Sequence, residues 1–244
     1  MSQTMKNSIS DIESADPRWK ALYKSGGIAV LAQIGCFVTS MVVAFTLGRE
    51  PATAQEYFTI LQNDRLAGIL RLDFTSVINV ALFTISSFAI FAALQSNKRM
   101  YAGLGVVMIA VGIALGLGTH SAFSMIHLAD KYAAATTEAQ RVMYLTAGEA
   151  TIASDWWNST GGRFAGIFLQ GGMALISFIL LRSKHFSKAT AWTGLLANGM
   201  DWLHVPLELI LPGFAGIVLG IGGLFYVVWY PLLARDFFRL GKQA

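Results

Sequence analysis

Apolar residues in this chain come in long uninterrupted runs, with the polar residues gathered between them. Runs of about 20 residues or more cover roughly 26–47, 66–94, 101–120, 162–181, 189–211 and 213–233. A helix of about 20 residues rises ~30 Å, the thickness of a bilayer's hydrocarbon core, so each run predicts a membrane-spanning helix. Short polar connections at 95–100 and 182–188 make neighbouring spans antiparallel, and Pro212-Gly213 allows an abrupt reversal between the last two. The predicted fold is all-α: an integral membrane bundle of six transmembrane helices occupying residues 25–234. Polar segments 1–24 and 235–244 flank it.

The longest connection, about 121–161, carries its own pattern. Thr137 and Gln140 have the spacing of a capping box, which predicts a helix from there to about Ser154. Its apolar positions, Val142, Met143, Leu145, Ala147, Ala150 and Ile152, form a partial stripe. Such a helix lies on, or dips into, the membrane face and ends at Trp156-Trp157. Gly112-xxx-Gly116, Gly162-xxx-Gly166 and Gly216-xxx-Gly220 match the small-xxx-small spacing that lets helix backbones approach, here within one molecule. Near the start, Trp19 and Tyr23 among Arg18, Lys20 and Lys24 predict a turn at the lipid headgroups.

Composition agrees with the pattern. Of 244 residues, 55% are hydrophobic and 13% charged, against roughly 25% charged in soluble domains. The single cysteine, Cys36 in the first run, excludes an intramolecular disulfide framework and a cysteine-based zinc site. The net charge of +4 is a matter of orientation, and no nucleic-acid partner is expected. With the N-terminus inside, the cytoplasmic side holds Lys6, Arg18, Lys20, Lys24, Lys98, Arg99, Arg182, Lys184, Lys188, Arg235, Arg239 and Lys242. The other side holds only Arg49, Arg65, Lys131, Arg141 and Arg163. That asymmetry places both termini in the cytoplasm, with the 121–161 loop external and the chain in a cytoplasmic membrane of bacterial type.

The fifth run is the one that carries candidate chemistry. Asn198, Asp201, His204 and Glu208 fall within a ~120° wedge of a helix, and ionisable groups inside a membrane mark function or internal pairing. At ~1.5 Å per residue, Asp201 lies roughly 12 Å below the outer boundary, with Glu208 near the surface. By the same count Arg71 and Asp73, in the second run, reach about 7 and 10 Å below that boundary. The matching depth makes Arg71–Asp201 the expected pair, with Arg71, Thr75 and Asn79 aligned at i, i+4, i+8. His120 ends the third run and Arg163 opens the fourth at the same level. Pro206 should free the carbonyl of Trp202 and bend the fifth helix.

Three functions remain open for this layer. It can be a polar cavity opening outward that binds or moves a small solute or a proton. It can be an ion-pair network that only fixes helix register, as in a structural or signalling protein. It can be a metal-dependent hydrolase built on Asp73, His120, Asp201 and His204, although no HExxH or His-xxx-His spacing is present to assign a metal. No cofactor motif appears; the glycines lie inside apolar helices rather than in phosphate-binding loops. No sequence feature identifies an enzyme or fixes the oligomeric state, and the lipid bilayer is the one partner the sequence itself implies.

Trp19-Lys20-Ala21-Leu22-Tyr23 before Gly26-Gly27, then Leu61-Gln62-Asn63-Asp64-Arg65 leading to Leu72-Asp73, resemble a bacterial and archaeal family of multi-span membrane proteins catalogued as a domain of unknown function. Ala122-Phe123-Ser124-Met125, the run YAAATTEAQR from Tyr132 to Arg141, Gly148-Glu149-Ala150 and the closing Trp229-Tyr230 and Phe238-Arg239-Leu240-Gly241 add to the likeness. The resemblance covers about residues 19–241 and implies an all-helical integral membrane protein. It carries over no activity and no catalytic residue. The Asp201–His204–Glu208 stretch lies outside its motifs.

Overall fold

The computed structural model describes residues 16–94 and 96–244, with the side chains of residues 96–99 left aside. Most of the 1–24 segment and residue 95 of the expected 95–100 connection therefore fall outside what is described. The described chain is helical, in the order α1 (Lys20–Thr46), α2 (Ala54–Asn63), α3 (Arg65–Arg71), α4 (Phe74–Ala93), α5 (Ser96–Thr119), α6 (Ala122–Ala133), α7 (Glu138–Ala153), α8 (Thr160–Leu180), α9 (Lys188–Ile210) and α10 (Pro212–Gln243). Five stretches among the described residues are long and apolar enough to cross a bilayer: Pro17–Thr46, Phe74–Ala93, Met100–Ala133, Thr160–Leu180 and Pro212–Gln243. Along them large apolar side chains such as Phe45, Met100 and Leu224 stand well exposed. A soluble surface does not carry apolar residues at this density, whereas lipid covers them at no cost. Helix α9 is as long as its neighbours, but Asp201, His204 and Glu208 dilute its apolar character.

The chain divides into two compact units. Unit 1 comprises residues 1–34, 82–111 and 166–244; unit 2 comprises residues 35–81 and 112–165.

In unit 1 the start of α1 packs against the ends of α4 and α10. Tyr23 is 1% exposed, and its hydroxyl donates to the carbonyl of Ala92. It is therefore a core residue rather than a headgroup anchor, because the helix begins at Lys20 and turns this ring inward. The run 235–243 likewise continues α10 as helix, with Phe237 and Leu240 fully packed. Helices α5 and α8 cross where a Cβ on Gly172 would stand 2.6 Å from the carbonyl oxygen of Gly105; only glycine permits that approach. The expected small-residue motifs serve other ends. Gly116 and Gly162 face Trp156, and nothing lies within 4 Å of a Cβ on Gly216 or Gly220.

Helix α9 runs on through Pro206, and α10 follows after Leu211 alone, with Pro212 in its first turn. There proline's missing N–H costs nothing. The two helices are antiparallel partners along their length. Asp236 of α10 accepts from the backbone N–H of Ser187 at 2.8 Å and from the Thr190 hydroxyl at 2.5 Å, at the start of α9. Halfway along, the Tyr226 hydroxyl meets Asn198 and Asp201.

Unit 2 contains a small core that the apolar runs did not announce. Ala54, Phe58 and Leu61 of α2 pack with Leu72 and with Ala122, Met125 and Ala129 of α6, and Leu145 and Ile152 of α7 close the cluster. The connection 121–161 is thus two helices: α6, which was not foreseen, and α7, which opens with the predicted Thr137–Gln140 capping box. Acidic side chains hold helix ends together here. Glu149 of α7 accepts from the N–H of Ala54 at the first turn of α2, and Asp155 accepts from Ser121 at the start of α6. Arg65 pairs with Asp130, and the Tyr132 hydroxyl bonds Gln55. Gly148 makes room for α2, since a Cβ there would lie 2.6 Å from that of Ala54.

Candidate functional site

The second apolar run is not one helix. Helix α3 ends at Arg71, and α4 begins at Phe74 after Asp73 takes a left-handed backbone, φ 52°. For a side chain other than glycine that conformation costs about 1–2 kcal/mol, and Asp tolerates it better than most because its short carboxylate bonds locally. The carbonyl of Asp73 still accepts from the N–H of Ser76, so the residue starts the new helix. The break undoes the expected alignment of Arg71 with Thr75 and Asn79. It also gives Arg71 different neighbours.

Arg71 is 8% exposed and donates to the carbonyl of Gly48, while its Nε has no partner. Gly48 is itself left-handed, φ 74°, which turns that carbonyl toward the guanidinium. Around them lies a hollow of about 290 Å³ lined by Ser40, Val43, Ala44, Glu50, Leu70, Arg71, Asp73 and Trp157. Ser40 and Thr75 share a 2.7 Å hydrogen bond that ties α1 to α4 beside it. Asp155 and His120 lie within electrostatic range of Asp73. Loss of surrounding water pushes the Glu50 carboxyl above its usual range; the Asp73 carboxylate adds to this and Arg71 opposes it. Tyr57 is pushed up to about 12, first by burial and then by the Glu50 and Asp155 charges. The hollow therefore gathers carboxylates around one guanidinium, with an indole on its wall. A second hollow, of about 340 Å³ between α1 and α3, is walled mainly by Val38, Val42, Val43, Leu47, Leu66 and Leu70 and has the character of a lipid-facing groove.

The proposed layer of charges divides between the two units. Arg71, Asp73, Asn79, His120 and Arg163 belong to unit 2, whereas Asn198, Asp201, His204 and Glu208 belong to unit 1. Arg71 and Asp201 each have a partner within their own unit, Gly48 for one and Tyr226 for the other. The Oδ1 of Asn79 is buried without a partner. His120 accepts from the N–H of Ala122 through Nδ1 at 3.3 Å, folding back onto its own chain. His204 and Glu208 approach to 3.4 Å along α9. Among the described residues no three His, Cys, Asp or Glu side chains are arranged to hold a metal ion.

Several polar residues in buried or site positions had no place in the sequence reading. Glu50, Tyr57, Asp155 and Trp157 lie in connections or short helices, where depth counting gives nothing. Asp236 is fully buried, yet it sits among the basic residues of the chain's end and reads there as an ordinary surface acid. Gln170 and Tyr226 lie inside apolar runs and carry no charge. Gln33, 1% exposed, has no partner on either amide atom; one amide in an apolar run gives no signal of its own.

No family model, curated protein or solved structure matches the chain.

Proposed function

We propose that the chain is a six-span membrane protein, both termini cytoplasmic, that binds a small amino-bearing solute in an outward-facing hollow at Arg71. The six-span reading rests on α9. A helix held antiparallel to a span at its start by Asp236 and at its middle by Tyr226 crosses the bilayer with that span, polar residues notwithstanding. The excess of basic residues on the terminal side then sets the orientation.

The binding reading is carried by one observation: Arg71, whose buried Nε lacks an acceptor, lines the same hollow as Glu50 and Asp73. A guanidinium that served only to neutralise charge would have those carboxylates on its nitrogens. Here its one recorded acceptor is a backbone carbonyl, which leaves donor and acceptors separately available to a ligand. An ammonium group fits Glu50 and Asp73, with Trp157 offering a cation–π face, and an oxygen of the same molecule fits Nε. The volume lies at the small end of ligand pockets, ~300–1,000 Å³.

The test is a thermal-shift screen of the purified protein against small amines, amino acids and their uncharged analogues. Amine-bearing members should raise Tm in the native protein and not in Glu50→Gln, a substitution at the exposed rim that leaves folding contacts intact. If no amine shifts Tm, or if the shift survives in both Glu50→Gln and Arg71→Lys, the hollow is not a binding site.

A further inference from the structure

Unit 1 holds a second polar cluster, independent of the Arg71 hollow, in the middle of its helices. Gln170 is halfway along α8, Asn198 and Asp201 are central in α9, and Tyr226 lies on the facing side of α10. The Tyr226 oxygen stands 3.0 Å from Oε1 of Gln170, 3.1 Å from Oδ1 of Asn198 and 3.1 Å from Oδ2 of Asp201. Three acceptor oxygens thus surround a hydroxyl that carries one hydrogen.

The shortfall can be traced atom by atom. Gln170 can turn its amide about the last bond of its side chain; its NH2 then donates to Tyr226. Asn198 is not free to turn, because its Nδ2 donates to the carbonyl of Gly194 at 2.8 Å. Asn198 is 0% exposed, so water does not relieve its oxygen. Tyr226 can then serve Asn198 or Asp201 but not both, and the other oxygen is left against a lone pair. One added hydrogen closes the network. With a proton on Oδ2, Asp201 donates to the Tyr226 oxygen, Tyr226 donates to Asn198, and the oxygens of Tyr226 and Asn198 and Oδ2 of Asp201 each have a hydrogen.

We propose that Gln170, Asn198, Asp201 and Tyr226 form an intramembrane proton-binding site, with Asp201 carrying the proton, and that His204 and Glu208 connect it to the end of α9. His204, 8% exposed, follows Asp201 by three residues and lies in its electrostatic range. Its Nε2 is 3.4 Å from the Glu208 carboxylate. A proton accepted from Asp201 at one ring nitrogen is matched by one released from the other to Glu208, so imidazole ends neutral in its other tautomer, and a turn of the ring resets it. The seven residues from Asp201 to Glu208 cover about 10 Å of helix. Other titratable groups facing the site are few. Tyr230 stacks on Tyr226 at 5.4 Å, and the nearest charge on α8 is Arg163, seven residues before Gln170. An ionisable residue on the protein side of a span is the usual element of a proton path.

Infrared spectroscopy of the protein in lipid vesicles, with carbon-13 aspartate, tests this directly. At pH 7 a carboxylic-acid carbonyl band should respond to the label, disappear in Asp201→Asn and move to higher frequency in Tyr226→Phe, where the acid loses its acceptor. His204→Gln should leave the band in place and slow its exchange in deuterated buffer. Absence of a labelled acid band at pH 7, or its survival in Asp201→Asn, overturns the site. If Asp201→Asn does not accumulate, an unshifted band in Tyr226→Phe overturns it instead. Unchanged exchange in His204→Gln overturns the path. A sodium-dependent rise in Tm that requires Asp201, with no acid band, would mean that the oxygens hold a metal cation and not a proton. All of these readouts are taken in an Asp73→Asn background, which removes the labelled aspartate of the Arg71 hollow, so the two proposals fail separately.

Discussion

Removing the Asp236 carboxylate should cost far more than removing either arginine beside it. Its Oδ2 accepts from the Ser187 N–H and the Thr190 hydroxyl in a fully buried position, while Oδ1 meets Arg235 at 3.1 Å and Arg239 at 3.5 Å. The two arginines are 55% and 44% exposed on their side chains, so water replaces their partner when it is lost, and Arg235→Gln or Arg239→Gln should cost about 0–1 kcal/mol each. The two donors on α9 have no such recourse. A hydrogen bond to a charged group contributes about 1.5–3 kcal/mol, so Asp236→Ala, which strands both, should cost about 3–5 kcal/mol, the range for breaking a buried ionic contact. Thr190→Val removes one donor and should cost about 1.5–3 kcal/mol. In the double variant the two losses overlap, giving a coupling of about 1–3 kcal/mol. Reversible unfolding in mixed micelles, driven by SDS and followed by tryptophan fluorescence, measures the four single variants and the double one. If Arg235→Gln costs as much as Thr190→Val, or if Thr190 and Asp236 prove additive, the carboxylate does not hold α9 to α10.

Gly148→Leu should destabilise the unit 2 core by about 1–3 kcal/mol or more through overpacking against Ala54 and Phe58; protease cutting within α2 should speed up, and an unchanged rate would refute the packing. The raised Glu50 carboxyl binds its proton more tightly in the folded state than in the unfolded one. Its favourable contribution is therefore full below the ordinary value of 4.5 and fades as pH rises through the raised folded value. Accordingly Glu50→Gln should gain Tm over the native protein progressively from pH 4.5 toward neutrality; a constant or shrinking difference would contradict the shift. Single cysteines at Thr146 and Lys184, in a Cys36→Ser background, should react with a membrane-impermeant reagent from opposite sides of the membrane, and labelling from the same side would refute the six-span topology.

Five candidate spans were legible because hydrophobic length is a local property that needs no knowledge of neighbours. The capping box of α7 was legible for the same reason. Helices α2 and α6 were not, although their apolar residues are regularly spaced, with Ala54, Phe58 and Leu61 on one and Ala122, Met125 and Ala129 on the other. Each stripe is short and has meaning only opposite the other. The break at Asp73 was hidden more completely, since no glycine or proline marks it and the strain falls on an ordinary aspartate. Depth counting, which matched Arg71 with Asp201, had no means of finding the partner that each has within its own unit, Gly48 for one and Tyr226 for the other. The fifth run is helix, and of its expected wedge Asn198 and Asp201 meet the Tyr226 hydroxyl, which Gln170 also bonds. Polarity along the sequence does not distinguish those two uncharged side chains, Gln170 and Tyr226, from packing.

The contact between Glu149 and Ala54 sets a condition on how the protein is made. The acceptor for the N–H of Ala54 is encoded 95 residues after it, and Ala122, Met125 and Ala129 of the same small core also come well after Phe58 and Leu61. At about 5–20 residues per second of synthesis, the first connection is in place for roughly 5–20 s before Glu149 exists. Until α6 follows, Phe58 and Leu61 have only Leu72 and its near neighbours in the chain to pack against. The segment is thus a vulnerable stretch during biogenesis, dependent on prompt arrival of α6 and α7 or on a chaperone that shields it meanwhile.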